Sequence, residues 1–255
     1  MSRSGLVLAA HGSHAEQSTN HQLLAYAEQI VTTGLFDEVA VAFHQGEPTF
    51  GSVLDEMTAD EITVVPVMTS QGYYCDVVLP RELARNRRYE AVAVARTSPV
   101  GTHPEMVNLV AGRVAELLRS NNLASNQTCL AVVCHGTKRH ELSGAATIEL
   151  VEALGRRAIC AEVLAAFLDE DPRVETICDR STLASILVVP FLIGGGPHAT
   201  QDIPRRLGLT VTGTASASLT GHVDRRLVVC DVAVGTNPRI LQIIIDLACV
   251  VGRSS

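Results

Sequence analysis

One spacing governs this chain: the motifs of its first half return 124 positions later. Ala10-His11-Gly12-Ser13 closes one apolar run, and Cys134-His135-Gly136-Thr137 closes another. At the same offset Phe43 matches Phe167, Pro48 matches Pro172, Val65-Pro66 matches Val189-Pro190, Gly72 matches Gly196, Pro80-Arg81 matches Pro204-Arg205, and Leu83 matches Leu207. An offset held over more than 70 positions is the mark of an internal duplication of a domain-sized unit. It restricts the 255 residues to two similar domains, each large enough to bury a core. Residues 1–122 are expected to form the first and 128–255 the second, with the polar run 120–127 as linker.

Short Val-, Ala- and Ile-rich segments at 6–10, 39–43, 61–68 and 91–95 predict strands in the first half, and segments 21–32, 50–57, 78–84 and 104–118 predict helices. The second half repeats the order, with strands expected at 130–134, 162–167, 185–191 and 227–232 and a closing helix at 238–250. Strands that are apolar at nearly every position and alternate with helices belong to parallel sheets covered on both faces. The fold class expected is therefore α/β, with two similar domains, each an open, mostly parallel four-stranded sheet flanked by helices. The repeat slips once. Gly101 and Pro104 match Gly235 and Pro238 at an offset of 134, so about ten extra residues lie between Leu209 and Arg226, and their Gly, Ser and Thr content predicts a surface loop.

A net charge of −7 argues against nucleic acid or an anionic membrane surface as partner. No apolar stretch is long enough to span a bilayer, and Met1-Ser2-Arg3-Ser4 leads into a strand without a signal-peptide core, so a cytoplasmic location is expected. The seven cysteines form no C-x-x-C pair and lie mostly in apolar runs. Buried free thiols are the favoured reading, with an iron–sulfur cluster as the weaker one.

Loops that follow the carboxyl ends of parallel strands are where open α/β sheets bind ligands, and both His-Gly motifs fall there. Taken alone, such a motif can be a turn in which Ser13 or Thr137 caps the next helix. A second element strengthens the functional reading. Val189-Pro190-Phe191-Leu192-Ile193-Gly194-Gly195-Gly196-Pro197-His198 ends a strand in a glycine-rich loop bearing another imidazole. Two imidazoles at adjacent strand ends can converge on one first-row divalent ion and leave positions open for water or substrate. The glycine triplet lacks the Lys-Ser/Thr of a Walker A loop and the spacing of a dinucleotide fingerprint. His103 reads as a helix-entry residue, while His21, His44 and His222 have no useful partner spacing.

These residues carry a resemblance to the class II tetrapyrrole chelatases, in the two-repeat form of the sirohydrochlorin cobaltochelatase and ferrochelatase branch. It rests on residues 10–13 and 134–137, on Ala166-Phe167-Leu168 and Pro172, on Val188-Val189-Pro190-Phe191-Leu192, and on Gly196, His198, Asp202, Ile203 and Pro204. The resemblance covers nearly all of both halves. It implies a chelatase-like fold and a lyase that inserts a divalent metal, Co2+ or Fe2+, into sirohydrochlorin held in a cleft between the domains. The metal would be a substrate, no organic cofactor would be needed, and the enzyme would be a monomer or homodimer serving cobalamin or siroheme synthesis. The family's metal-binding histidines fall on His135 and His198, and in the first half on His11 and Tyr74, where the tyrosine is a departure. Val78 likewise replaces the Asp202 of the second copy. His135, His198 and His11 are thus the expected catalytic residues. Cationic Lys138, Arg139, His140, Arg205 and Arg206 surround the second motif, against His14, Ala15, Glu16, Arg81 and Glu82 in the first, which favours the second half for a polycarboxylate macrocycle. Tyr74, Lys138, Arg139, Gly195, Gly196 and Arg205 are the expected substrate contacts. The alternative, suggested by Tyr74 and Val78, is a non-catalytic metal- or tetrapyrrole-binding relative.

Overall fold

The computed structural model describes residues 2–13, 17–137, 143–211 and 217–251. The first repeat forms β1 (Ser4–Gly12), α1 (Gln17–Thr33), β2 (Glu38–Gln45), β3 (Glu61–Pro66), α2 (Leu79–Ala84), β4 (Ala93–Arg96) and α3 (Glu105–Ser120). The second forms β5 (Thr128–Cys134), α4 (Ala145–Arg156), β6 (Glu162–Phe167), α5 (Ile177–Arg180), β7 (Ser185–Pro190), α6 (Ile203–Arg206), β8 (Leu219–Val223), β9 (Arg226–Cys230) and α7 (Ile240–Val251). The first sheet runs β2-β1-β3-β4 with every pair parallel. In the second, β6-β5-β7-β9 are parallel and β8 is added antiparallel to β9 at the edge. The α/β class and the duplication are as the sequence predicts. The second sheet has five strands, however, and the segment expected as a loop between Leu209 and Arg226 contributes one of them. Leu219, Gly221 and Val223 are half-buried while Thr220 and His222 are exposed, the alternation of an edge strand with one covered face.

Central strands with both faces covered have no polar side to show. Leu6, Val7, Leu8 and Ala9 of β1 and Leu130, Ala131, Val132 and Val133 of β5 are all fully buried. On one face of the first sheet Val7, Ala9, Ile62 and Val64 pack with Phe50, Leu54, Leu79 and Leu83. The counterpart in the second unites Ala131, Val133, Ile186 and Val188 with Val174, Ile177, Ile203 and Leu207.

Two compact units divide the chain after His103 and after Asn237: Met1–His103 with Pro238–Ser255, and Pro104–Asn237. These units do not coincide with the repeats. Helix α7, which ends the second repeat, packs in the first unit on β3, on α1 and on the 3-10 turn Val100–Thr102, while α3, which ends the first repeat, packs on α4 in the second. A glycine precedes each crossing. A Cβ on Gly101 would stand 2.0 Å from the carbonyl oxygen of Thr69, and one on Gly235 would stand 2.0 Å from that of Ile193, so the backbones meet at a distance no side chain allows. In the second unit α3 is tied to the end of β9 by Arg113, whose Nε and Nη2 donate to Asp231 at 2.8 and 2.7 Å. Ser218 donates to the same carboxylate at 2.7 Å.

Six of the seven cysteines are buried, Cys249 is partly exposed, and all seven are free thiols. Among the described residues no helix is long and apolar enough to cross a membrane.

Candidate metal centre

Both sheets reverse their strand order beside the central strand, so the loops after β1 and β3, and after β5 and β7, flank a topological switch point where such folds bind ligands. His135 follows β5. Its preceding strand is buried and rigid, and Gly136 turns the chain with φ +67°, a left-handed conformation that favours glycine. The loop is closed by Ser143, whose hydroxyl accepts from the Thr137 amide at 3.1 Å and lies 2.9 Å from its carbonyl. Thr137 is therefore not the cap of α4, whose N-cap is Gly144. His198 opens a π-helical turn, His198–Asp202, that runs into α6. Single π turns inside helical segments are frequent at functional sites because they re-aim side chains that an α-helix would stagger. Gly196 anchors this turn by accepting from the amides of Ala199 and Thr200 at 3.0 and 3.1 Å.

The two imidazoles meet edge to face, with ring centres 5.0 Å apart. Nδ1 of His135 lies 2.9 Å from the carbonyl oxygen of Gly136 and 3.5 Å from Oδ2 of Asp169. Nδ1 of His198 lies 2.7 Å from Oδ2 of Asp202. Carbonyl and carboxylate oxygens only accept, so each Nδ1 carries a proton and each neutral ring keeps its lone pair on Nε2. A carboxylate behind an imidazole in this way fixes the tautomer and orientation of a ring that can ligate a metal. Side-chain exposures of 45% for His135 and 56% for His198 leave both rings open to an arriving ion.

The first unit holds a different cluster. His11 ends β1 with Nδ1 3.2 Å from the Gly12 carbonyl oxygen, and Tyr74 sits in a second π-helical turn, Tyr73–Val78. The structure brings them together, ring centres 4.6 Å apart, and adds His44 from the end of β2, 5.3 Å from His11 and 4.8 Å from Tyr74. Sequence spacing missed His44 because its partner at the 124 offset is Leu168.

The expected cationic rim is only partly visible. Lys138, Arg139 and His140 lie outside the described residues. Arg205 is exposed on α6, but Arg206 is turned inward, donating to the carbonyl of Leu168 and pairing with Glu175 at 3.6 Å. Gly195 packs near Thr236, where a Cβ would meet its methyl at 3.2 Å. Among the described residues, the charged groups beside the imidazoles are acidic. Asp169 and Asp202 contact the rings, and Glu170 fills the space against Gly136 and Gly144. The Asp169-Glu170-Asp171 run after β6 and the four-residue spacing of His198 and Asp202 were the available signals.

A family model described as CbiX matches residues 5–117 and again 129–249. A protein of Halobacterium salinarum described as a probable sirohydrochlorin cobaltochelatase is 33% identical over 267 aligned positions, covering 97% of this chain and 91% of that protein. Among solved structures, SirB from Bacillus subtilis with Fe3+ superposes with a TM-score of 0.73 at 16% identity, covering 96% of this chain and 94% of SirB. A multi-domain Deinococcus radiodurans protein with structural similarity to chelatases superposes with a TM-score of 0.73 at 24% identity over 98% of this chain, which spans 55% of that protein's length. At these identities the two structures establish likeness of fold.

Proposed function

The chain belongs to the CbiX family, and we propose that it is a chelatase of the lyase class that inserts Co2+ or Fe2+ into sirohydrochlorin. The observation that carries this reading is the pair His135 and His198, 5.0 Å between ring centres, each backed by a carboxylate.

The reaction asks for two things: a divalent ion held loosely enough to be surrendered, and acceptors for the two pyrrole protons that the ion replaces. Two neutral imidazoles hold an ion through Nε2 and leave the rest of its coordination shell to water, which the macrocycle nitrogens displace. Once relieved of the metal, the same nitrogens accept the displaced protons, and Asp169 and Asp202 stabilise the imidazolium rings that form. Arg205, exposed on the helix that follows His198, would pair with a peripheral carboxylate of the macrocycle. Imidazole ligands suit cobalt, iron and nickel alike, so the ligand pair does not itself choose among them. The enzyme would act in the cytoplasm, as monomer or homodimer, in cobalamin or siroheme synthesis.

Purified protein incubated anaerobically with sirohydrochlorin and Co2+ or Fe2+, followed by visible absorption, is expected to turn over many times. The double variant His135→Ala, His198→Ala is expected to fall to the spontaneous rate, and activity surviving in it would overturn the site. Metalation limited to one equivalent per chain in the wild type would instead favour the non-catalytic binder.

A further inference from the structure

The cluster of His11, His44 and Tyr74 is a second gathering of ligating side chains at a sheet's carboxyl edge, and the chelatase reaction at His135 and His198 leaves it without a task. With metal–nitrogen bonds of about 2.1 Å, two imidazoles sharing an ion at a tetrahedral angle have ring centres about 5 Å apart. The His11–His44 separation of 5.3 Å fits that geometry as well as the 5.0 Å of His135–His198 does. Duplication alone would leave the first half one imidazole short, because Tyr74 stands where the repeat puts His198. The fold supplies a replacement from a neighbouring strand end.

We propose that His11 and His44 form a second site for a borderline divalent ion such as Co2+, Ni2+ or Zn2+, filled independently of the first. Nδ1 of His11 faces a carbonyl oxygen 3.2 Å away, which leaves its lone pair on Nε2. His11 is exposed and His44 half-buried, so an ion reaches the pair from solvent without opening the core. Tyr74 packs its ring against both imidazoles and restricts their rotation, so that less side-chain freedom remains to be lost when an ion binds. Imidazole nitrogen selects against Mg2+ and Ca2+, which require oxygen shells. Val78 takes the place that Asp202 holds in the second repeat, so this site ligates without the carboxylate that backs His198.

Equilibrium dialysis of the intact chain against Co2+ alone, with the absorption of bound cobalt as a second readout, tests this without any tetrapyrrole. Two ions per chain are expected for the wild type. The double variant His11→Ala, His44→Ala is expected to keep one and His135→Ala, His198→Ala to keep the other, each with its own cobalt spectrum. His44→Gln, a milder change checked for folding by circular dichroism, is expected to weaken one site at least tenfold and leave the other unchanged. An unaltered stoichiometry in His11→Ala, His44→Ala would overturn the inference while leaving the chelatase reading intact. Loss of cobalt only from the first-unit variants would do the reverse, supporting this site and removing support from His135 and His198.

Discussion

Oδ2 of Asp202 lies 2.7 Å from Nδ1 of His198, at the two ends of one π-helical turn. The carboxylate selects the tautomer that presents Nε2 to a metal. Replacing Asp202 with Asn keeps the shape, but the amide can present its NH2 group and favour the wrong tautomer. Asp202→Asn is expected to lose about 10- to 100-fold in metal affinity or turnover, with the KM for the tetrapyrrole nearly unchanged. Steady-state kinetics at varied Co2+ check this, and Asp202→Glu should recover part of the loss.

Arg113 and Asp231 form a bidentate pair in which the carboxylate side chain is only 2% exposed. Hydrogen bonding to Asp231 pushes the Arg113 guanidinium further above its already high value, so the guanidinium stays charged. Among the described residues, Arg113→Met leaves the buried carboxylate with Ser218 alone as side-chain partner, and is expected to destabilise the protein by about 3 kcal/mol in urea unfolding. Asp231→Asn is expected to cost less, because the partly exposed guanidinium can turn to water.

Glycine substitutions should separate in sign. Gly101→Ala or Gly235→Ala drives a Cβ against a backbone carbonyl that cannot move aside, with an expected cost of about 3 kcal/mol or more. Gly112 lies within α3, and a methyl added there would meet nothing within 4 Å, so Gly112→Ala should stabilise by about 0.5–1 kcal/mol. Thermal unfolding of the three variants is the check.

Acid stability should depend on Glu38. Hydrogen bonds from Thr58, then from the Ala59 amide, together with the Arg3 charge, hold its carboxyl below the ordinary 4.5 despite partial desolvation. A carboxyl depressed in the folded state contributes stability that is present above its unfolded value and is lost as pH falls through the folded one. Wild-type Tm is therefore expected to drop on acidification below about pH 4.5, and Glu38→Gln should start lower at neutral pH and drop less.

Burial pushes the thiols of Cys75 and Cys129 up to about 12 and that of Cys160 to about 11. A thiolate-selective reagent at pH 8 should accordingly find Cys249 at most in the native protein and all seven cysteines in denaturant.

The parallel sheets were legible because buried strands such as Leu6–Ala10 and Leu130–Cys134 have no polar face to confuse the pattern, and the repeat placed both His-Gly turns at the same edge. Strand β8 was hidden by its Gly, Ser and Thr surroundings, since a five-residue edge strand with one half-buried face differs little from a loop in composition. His44 escaped notice because its relation to His11 crosses from one strand to the next and has no echo in the second repeat. Asp202 stands in the second motif itself, whereas Asp169 reaches His135 from the end of a neighbouring strand, a relation that no spacing in the sequence marks.

The exchange of closing helices couples the stability of the two repeats. A lone repeat on this plan would leave the face of β3 uncovered and a helix with Ile240, Ile243, Ile244 and Leu247 turned towards a core it does not own. A single repeat on this plan would complete its unit only by trading that segment with a second copy. Tandem fusion turns the trade into an internal one, governed by tether length instead of protein concentration. Substitutions in the last helix of either repeat should therefore be felt as instability in the unit built from the other.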